Sequence, residues 1–456
     1  MLASNSDTIC AIATPPGKGG VAIIRISGRE ALSIAERISH KTNLTPRLAH
    51  YVTLFGPEGE SIDSALLIYF KGPHSFTGED VVELQTHGSP VILNIVLRVL
   101  TLYGARPAQP GEYSKRAYLN DKIDLVQAEA IADLINASTE SAALSAQRSL
   151  NGSFSIEVNS FVENLINLRV FVEAAIDFPE EEIDFIAEHN VINKLEGLIT
   201  HLSAIIQNAR LGQLIQEGTT FALVGAPNAG KSSLLNCLAG IDRAIVTDIA
   251  GTTRDTLDTT VDIGGLPVTF IDTAGLRETD DYVEKVGIER TLSAIKQADY
   301  VLFIVDGSVH SGRARLEELV PPHVADTLKQ KPILGVINKS DKISGDTLIL
   351  EGIESSVVIS AKLGLNIDSL RNRICELVGL TTTSDLTFSA RERHLTQLNI
   401  ALNLLQTGFE QLHYSGASEL LAEDLKQAQT AMSQITGAFT SDDLLGEIFS
   451  SFCIGK

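Results

Sequence analysis

At 456 residues the chain is longer than one hydrophobic core usually organises, so two or three domains are expected. Its 44% hydrophobic and 20% charged content are those of a soluble globular protein, and its longest apolar runs, such as Tyr300 to Val305, are too short to span a bilayer. The formal net charge of -21 would repel nucleic acid if spread evenly, but residues 1–124 balance 12 Lys and Arg against 12 Asp and Glu. Any RNA contact therefore calls for a local basic patch or a partner protein. No base precedes the short apolar stretch of Met1 to Ala13, as a secretory signal would require. The four cysteines, Cys10, Cys237, Cys375 and Cys453, are scattered without zinc or disulfide spacing. Both features point to a cytoplasmic protein.

In chain order, Thr8 to Leu119 mixes short β-branched runs (Val21 to Ile26, Tyr51 to Phe55, Ala65 to Phe70) with amphipathic stretches (Arg29 to Ser39, Pro90 to Tyr103), which predicts an α+β domain over 1–120. Long 3.6-period segments follow, Leu125 to Leu150, Phe154 to Phe178 and Val191 to Gln216, and predict a helical bundle over 121–216. From Gly218 apolar strands alternate with helices: Thr220 to Val224, Val268 to Ile271, Tyr300 to Val305, Ile333 to Ile337 and Val357 to Ile359. That alternation predicts a mostly parallel sheet covered on both faces, an α/β domain over 217–380. Helical pattern resumes over 381–456, with Ser389 to Glu392 reading as a capping box. The whole is multidomain, with the α/β domain inserted in a helical one.

The chemistry concentrates in the inserted domain. Gly225-Ala-Pro-Asn-Ala-Gly-Lys-Ser232 follows a predicted strand and opens a helix, the context of a P-loop. Glycines let backbone N–H groups turn onto phosphates, with the helix N-terminus favouring the anion. Here Asn228, Ala229, Gly230, Lys231, Ser232 and Ser233 would line the phosphates, Lys231 as a point charge and Ser232 as a hydroxyl ligand for Mg²⁺. A chance glycine turn is the bland alternative, and the succession of further motifs argues against it. Asp272-Thr273-Ala274-Gly275 ends the second strand, where a carboxylate can hold the Mg²⁺ water shell and a glycine N–H can sense the γ-phosphate. Asn338-Lys339-Ser-Asp341 ends another, where Asp341 can accept from guanine N1–H and its exocyclic amine, a donor pair adenine lacks. Ser360, Ala361 and Lys362 follow the last strand and can close over the base. Four such elements at strand C-terminal edges indicate GTP. Leu276 stands where a Ras-like switch has its water-orienting glutamine, so another group must position the nucleophile.

Together with Asp248-Ile-Ala-Gly-Thr-Thr-Arg-Asp255, these motifs resemble the TrmE-Era-EngA GTPases. Thr14-Pro-Pro-Gly17, Ser75-Phe-Thr-Gly-Glu-Asp80, Pro110-Gly-Glu112, Gln127 to Leu134 and the ending Phe452 to Lys456 narrow the resemblance to the MnmE (TrmE) family of tRNA modification GTPases. The resemblance implies a K⁺ ion held by Asn228 and a loop that includes Thr247, Ile249 and Thr252, placed where an arginine finger would neutralise transition-state charge. It implies a nucleotide-facing switch running through Asp248, Ala250 and Gly251, with Thr253 completing the Mg²⁺ shell beside Ser232. It also makes Glu284 the residue that orients the attacking water, where residue type alone would read a solvated helix-start acid.

For the flanking domains the resemblance implies a homodimer whose N-terminal domain binds 5-formyltetrahydrofolate, the one-carbon donor, through Arg25, Glu83, Lys122 and Lys456. Taken singly, each of these residues could equally belong to a surface ion pair. The implied reaction places an aminomethyl or carboxymethylaminomethyl group at C5 of the wobble uridine of certain tRNAs, shared with the flavoprotein MnmG in a heterotetramer. Cys453 reads either as a reactive thiol near the folate or as a buried inert one. Tyr113 and Tyr118 stand where phenylalanines are usual. The competing class is an RNA- or ribosome-associated GTPase switch without group transfer; such proteins carry basic appendages, and these flanks are neutral or acidic.

Overall fold

The computed structural model describes residues 7–177, 190–241, 258–272, 282–343, 348–380, 388–415, 417–438, 442–450, 452–453 and 455. It divides into two compact units, one comprising 1–132, 150–191 and 407–456, the other 133–149 and 192–406.

In the first unit a six-stranded sheet has the order Ala49–Phe55, Ser61–Phe70, Val81–Gly88, Gly19–Ser27, Ile9–Ile12 and Arg106–Pro107. Its pairings are antiparallel except the last, where Ile9 and Cys10 run parallel to Arg106 and Pro107. Strand residues alternate between faces, so His50, Val52 and Leu54 point inward while Tyr51 stays exposed. Helices Ala31–Ser39 and Pro90–Leu102 cover the inner face, placing Ile34, Ile38, Val96 and Leu100 against Ile24, Leu54, Leu67 and Leu84. Three strands, Ile9–Ile12, Val81–Gly88 and the short Arg106–Pro107, go beyond the predicted set. A short helix, Glu112–Leu119, buries Tyr113 against Ile9, Ala11 and Ala108. In the same unit the C-terminal Leu445, Ile448, Phe449 and Phe452 pack on Leu125 and Ala128.

In the second unit a six-stranded sheet runs in the order Ser355–Val358, Ile333–Asn338, Tyr300–Asp306, Thr219–Val224, Leu266–Asp272 and Asp258–Ile263, all parallel except the last. Both faces carry a core. Phe221, Leu223, Leu302 and Ile304 point to one, and Ala222, Val224, Phe303 and Val305 to the other. Such two-sided burial accounts for the unbroken apolar runs.

The edge strand Asp258–Ile263 is missing from the sequence reading because Asp258, Thr259, Thr260 and Asp262 dilute its apolar pattern. Its signal is the Gly264-Gly265 pair. With φ of 64° and 90°, these glycines close a two-residue hairpin of the kind whose left-handed backbone favours Gly. The segment Leu125 to Leu150, predicted as continuous helical pattern, forms two helices, Leu125–Asn136 and Glu140–Leu150. Thr139 starts the second by accepting the Ala142 N–H at 3.1 Å. The helix that follows the α/β domain begins at Glu392, and the Arg391 N–H donates to His394 Nδ1 at 3.0 Å in place of the predicted Ser389–Glu392 exchange.

Candidate nucleotide and folate sites

The phosphate loop, Asp272 and the two predicted base loops lie at the C-terminal edge of the parallel sheet. Strand Thr219–Val224 ends directly at Gly225, and helix Lys231–Ile241 starts six residues on. The loop between them needs its glycines. A Cβ on Gly225 would lie 2.2 Å from Ile304 O, and one on Gly230, whose φ is 100°, would lie 2.2 Å from Asn338 Nδ2. Asn228 is exposed and left-handed with φ 64°, a conformation Asn tolerates better than most residues. Lys231 is buried and donates to the carbonyls of Gly225 at 2.8 Å and Ala226 at 3.2 Å. Burial pushes its amine below the ordinary lysine value, a pull the Asp272 charge partly offsets. Ser232 and Ser233 are exposed in the first helical turn, and Ala229 is buried.

Asn338, 2% exposed, joins three loops. Its Nδ2 donates to Ala229 O at 2.9 Å, and its Oδ1 accepts from Ala361 N at 3.0 Å and Lys339 N at 2.8 Å. One amide thus couples the phosphate loop to both predicted base loops. Asp341 is turned outward, and the Ser360 hydroxyl donates to its Oδ1 at 2.6 Å, which with nearby Lys342 and Lys362 holds the carboxyl below its usual range. Lys339 sits at φ 64°, its ammonium 2.5 Å from Asp306 Oδ2.

Asp306 is a residue the sequence reading passed over. Burial raises its pKa, but hydrogen bonds from Lys339 and Ser308 outweigh this and leave it low. As the first acid after the six-residue apolar run Tyr300 to Val305, ending strand Tyr300–Asp306, it was available as a signal. Thr247, Asp248, Ile249, Ala250, Gly251, Thr252, Thr253, Thr273, Ala274, Gly275 and Lys456 lie outside the described residues. Glu284 falls within helix Tyr282–Gln297, and its side chain is likewise outside the description.

In the first unit Arg25 and Glu83 face each other across strands Gly19–Ser27 and Val81–Gly88, joined at 2.8 Å. The guanidinium lies near two rings, 5.8 Å from the Phe76 centroid and 5.7 Å from that of Tyr113. Its NH1 reaches the Gly455 carbonyl at 3.5 Å, which brings Gly455 to the same place. Lys122 stands apart from this pair, its ammonium donating to Pro73 O at 3.0 Å. Cys453 is exposed, which removes the buried alternative, and its carbonyl accepts the Gly111 N–H at 3.3 Å. The two unusual tyrosines use their hydroxyls: Tyr113 donates to Arg25 O and Tyr118 to Gly437 O, each at 2.7 Å.

Family models match two consecutive stretches: the N-terminus of the GTP-binding protein TrmE over residues 8–122, and the MnmE helical domain over 125–453. The chain is 52% identical over 456 residues to the tRNA modification GTPase MnmE of Pectobacterium carotovorum, covering 99% of this chain and 100% of that one. The chain belongs to the MnmE family of tRNA modification GTPases. A second MnmE, from Hydrogenovibrio crunogenus, is 50% identical over 455 residues, with 99% of each chain covered. Among solved structures, Era of Aquifex aeolicus bound to GDP and aluminium fluoride is 25% identical over 41% of this chain and 66% of that one, at a TM-score of 0.26 too low to bear on the assignment. MnmE membership accords with the architecture: an α+β N-terminal domain, a helical domain and an α/β P-loop GTPase domain. No helix among the described residues is long and apolar enough to cross a membrane.

Proposed function

We propose that the chain is a K⁺-dependent GTPase that works in the cytoplasm as a homodimer. With an MnmG-type flavoprotein it installs aminomethyl or carboxymethylaminomethyl groups at C5 of the wobble uridine of certain tRNAs, using 5-formyltetrahydrofolate as one-carbon donor. The observation that carries the GTP part is the Asn338 amide, which locks phosphate and base loops into one frame. The cradle fits a phosphate chain, since side chains at Gly225 and Gly230 would collide with their surroundings. Lys231, already stripped of water, would place its charge on the β and γ phosphates. Asp341, presented by Ser360, would accept from guanine.

Ser232 would hold Mg²⁺ together with Thr253, and Asn228 would hold K⁺ together with Thr247, Ile249 and Thr252. Both cations would neutralise charge on the transferring phosphoryl group. Glu284 would orient water in place of the glutamine that Leu276 excludes. In the N-terminal domain the Arg25–Glu83 pair, with Lys122 and Lys456, supports the folate reading: a guanidinium suits the folate carboxylates and a carboxylate suits the pterin amine. Exchanging K⁺ for Na⁺ at constant ionic strength tests the catalytic reading. Hydrolysis should fall at least about tenfold in Na⁺, roughly 1.4 kcal/mol of lost transition-state stabilisation. Equal rates in the two salts would refute K⁺ dependence.

A further inference from the structure

The Arg25 site stands on a buried polar framework that none of its own residues explains. Helix Glu112–Leu119 supplies Tyr113 to one side of the Arg25 guanidinium, and the 71–80 segment supplies Phe76. The segment has no regular ladder of its own, so its shape depends on side-chain bonds. One turn along the same helix from Tyr113, Arg116 is 4% exposed, and its NH1 donates to both Glu79 carboxylate oxygens, at 3.1 Å and 3.0 Å, while NH2 turns to Glu112.

Glu79 also accepts from Ser27 Oγ at 2.7 Å, and that hydroxyl meets Thr77 Oγ1 at 2.7 Å. Arg116 is fixed from behind by Glu112 at 3.1 Å and by the Asp7 carbonyl at 2.8 Å. Every charged group in this chain of contacts has an opposite charge or a fixed dipole as partner, the condition under which a buried ion pair specifies geometry.

We infer that the Arg116–Glu79 pair is a positioning clasp: it fastens helix Glu112–Leu119 to the 71–80 segment and so sets the aromatic seat that orients Arg25 toward its ligand. The inference rests on the reading of Arg25, Glu83 and Lys122 as the folate site. The same segment carries Pro73, whose carbonyl takes the Lys122 ammonium, so the clasped segment meets Lys122 as well as Arg25.

The test uses the full chain. Glu79→Gln keeps the shape and removes the charge; Arg116→Lys keeps the charge and removes the fork. Each should weaken binding of 5-formyltetrahydrofolate, measured by calorimetry, at least about tenfold while GTP turnover by the same samples stays within about twofold. Because the chain contains no tryptophan, Phe76→Trp places a single indole in the seat. Its emission should shift to the red when Glu79→Gln is added, which a general loss of stability without release of the segment would not produce. Arg25→Ala separates the two ideas. If it abolishes folate binding while Glu79→Gln and Arg116→Lys bind like the parent, the clasp is overturned and the site stands. If Arg25→Ala binds folate normally, the site reading falls, and an unshifted indole then overturns the clasp as well.

Discussion

Replacing Asn338 with alanine leaves three groups without their partner: the buried Ala229 carbonyl and Ala361 N–H, and the half-buried Lys339 N–H. Each such group costs about 1–3 kcal/mol, and because the three share one amide their losses do not add in full. The expected destabilisation of the GTPase domain is roughly 3–5 kcal/mol. About half of that should reappear at the nucleotide, since the phosphate and base loops must then be reordered on binding. The middle of that range, about 2 kcal/mol, corresponds to an affinity loss of roughly 30-fold. Titration with a fluorescent GTP analogue and urea unfolding of the same sample measure the two quantities. Asn338→Asp sharpens the comparison by keeping the acceptor for Lys339 and Ala361 while setting a carboxylate against Ala229 O. It should be no better than alanine for affinity. Affinity within about threefold of the parent, with stability changed by under about 0.5 kcal/mol, would refute the role given to this residue.

Further outcomes follow from neighbouring contacts. Asp341→Asn replaces a double acceptor by one donor and one acceptor, so GTP affinity should fall roughly 100-fold while a xanthine nucleotide, which offers the complementary pattern, gains; competition binding with both nucleotides decides it. Glu112 is raised by burial but held net below its ordinary value by Arg106, the Gln109 N–H and Arg116. Its folded pKa lies under the unfolded one, so its stabilisation is complete above about pH 4.5 and is lost as pH falls through the lower folded value. Glu112→Gln should therefore flatten the acid limb of an unfolding profile below pH 4.5, and a parallel limb in the variant would contradict the pairing.

Much of the nucleotide site is legible in the sequence because its chemistry is local: Gly225 to Ser232 must follow one strand and precede one helix, and each later motif ends a strand of its own. What escapes is what the fold brings together over distance. Asn338 reads as part of a base motif, while its bond to Ala229 spans 109 residues. Asp306 ends an apolar run whose hydrophobicity draws attention away from its last residue, and only the parallel pairing with Asn338 places it beside Lys339. In the N-terminal domain, Arg25 and Glu83 become partners through antiparallel register, and Arg116 and Glu79 through a helix laid over a loop. Strand Asp258–Ile263 hid behind polar residues on an edge where one face meets water.

The family reading is tested most directly on the tRNA. Nucleoside analysis of tRNA from cells lacking this gene should show loss of the C5-aminomethyl and carboxymethylaminomethyl uridines from the wobble position, restored by the intact gene. An unchanged set of wobble uridines in those cells would contradict a role in tRNA modification and leave a GTPase with some other task.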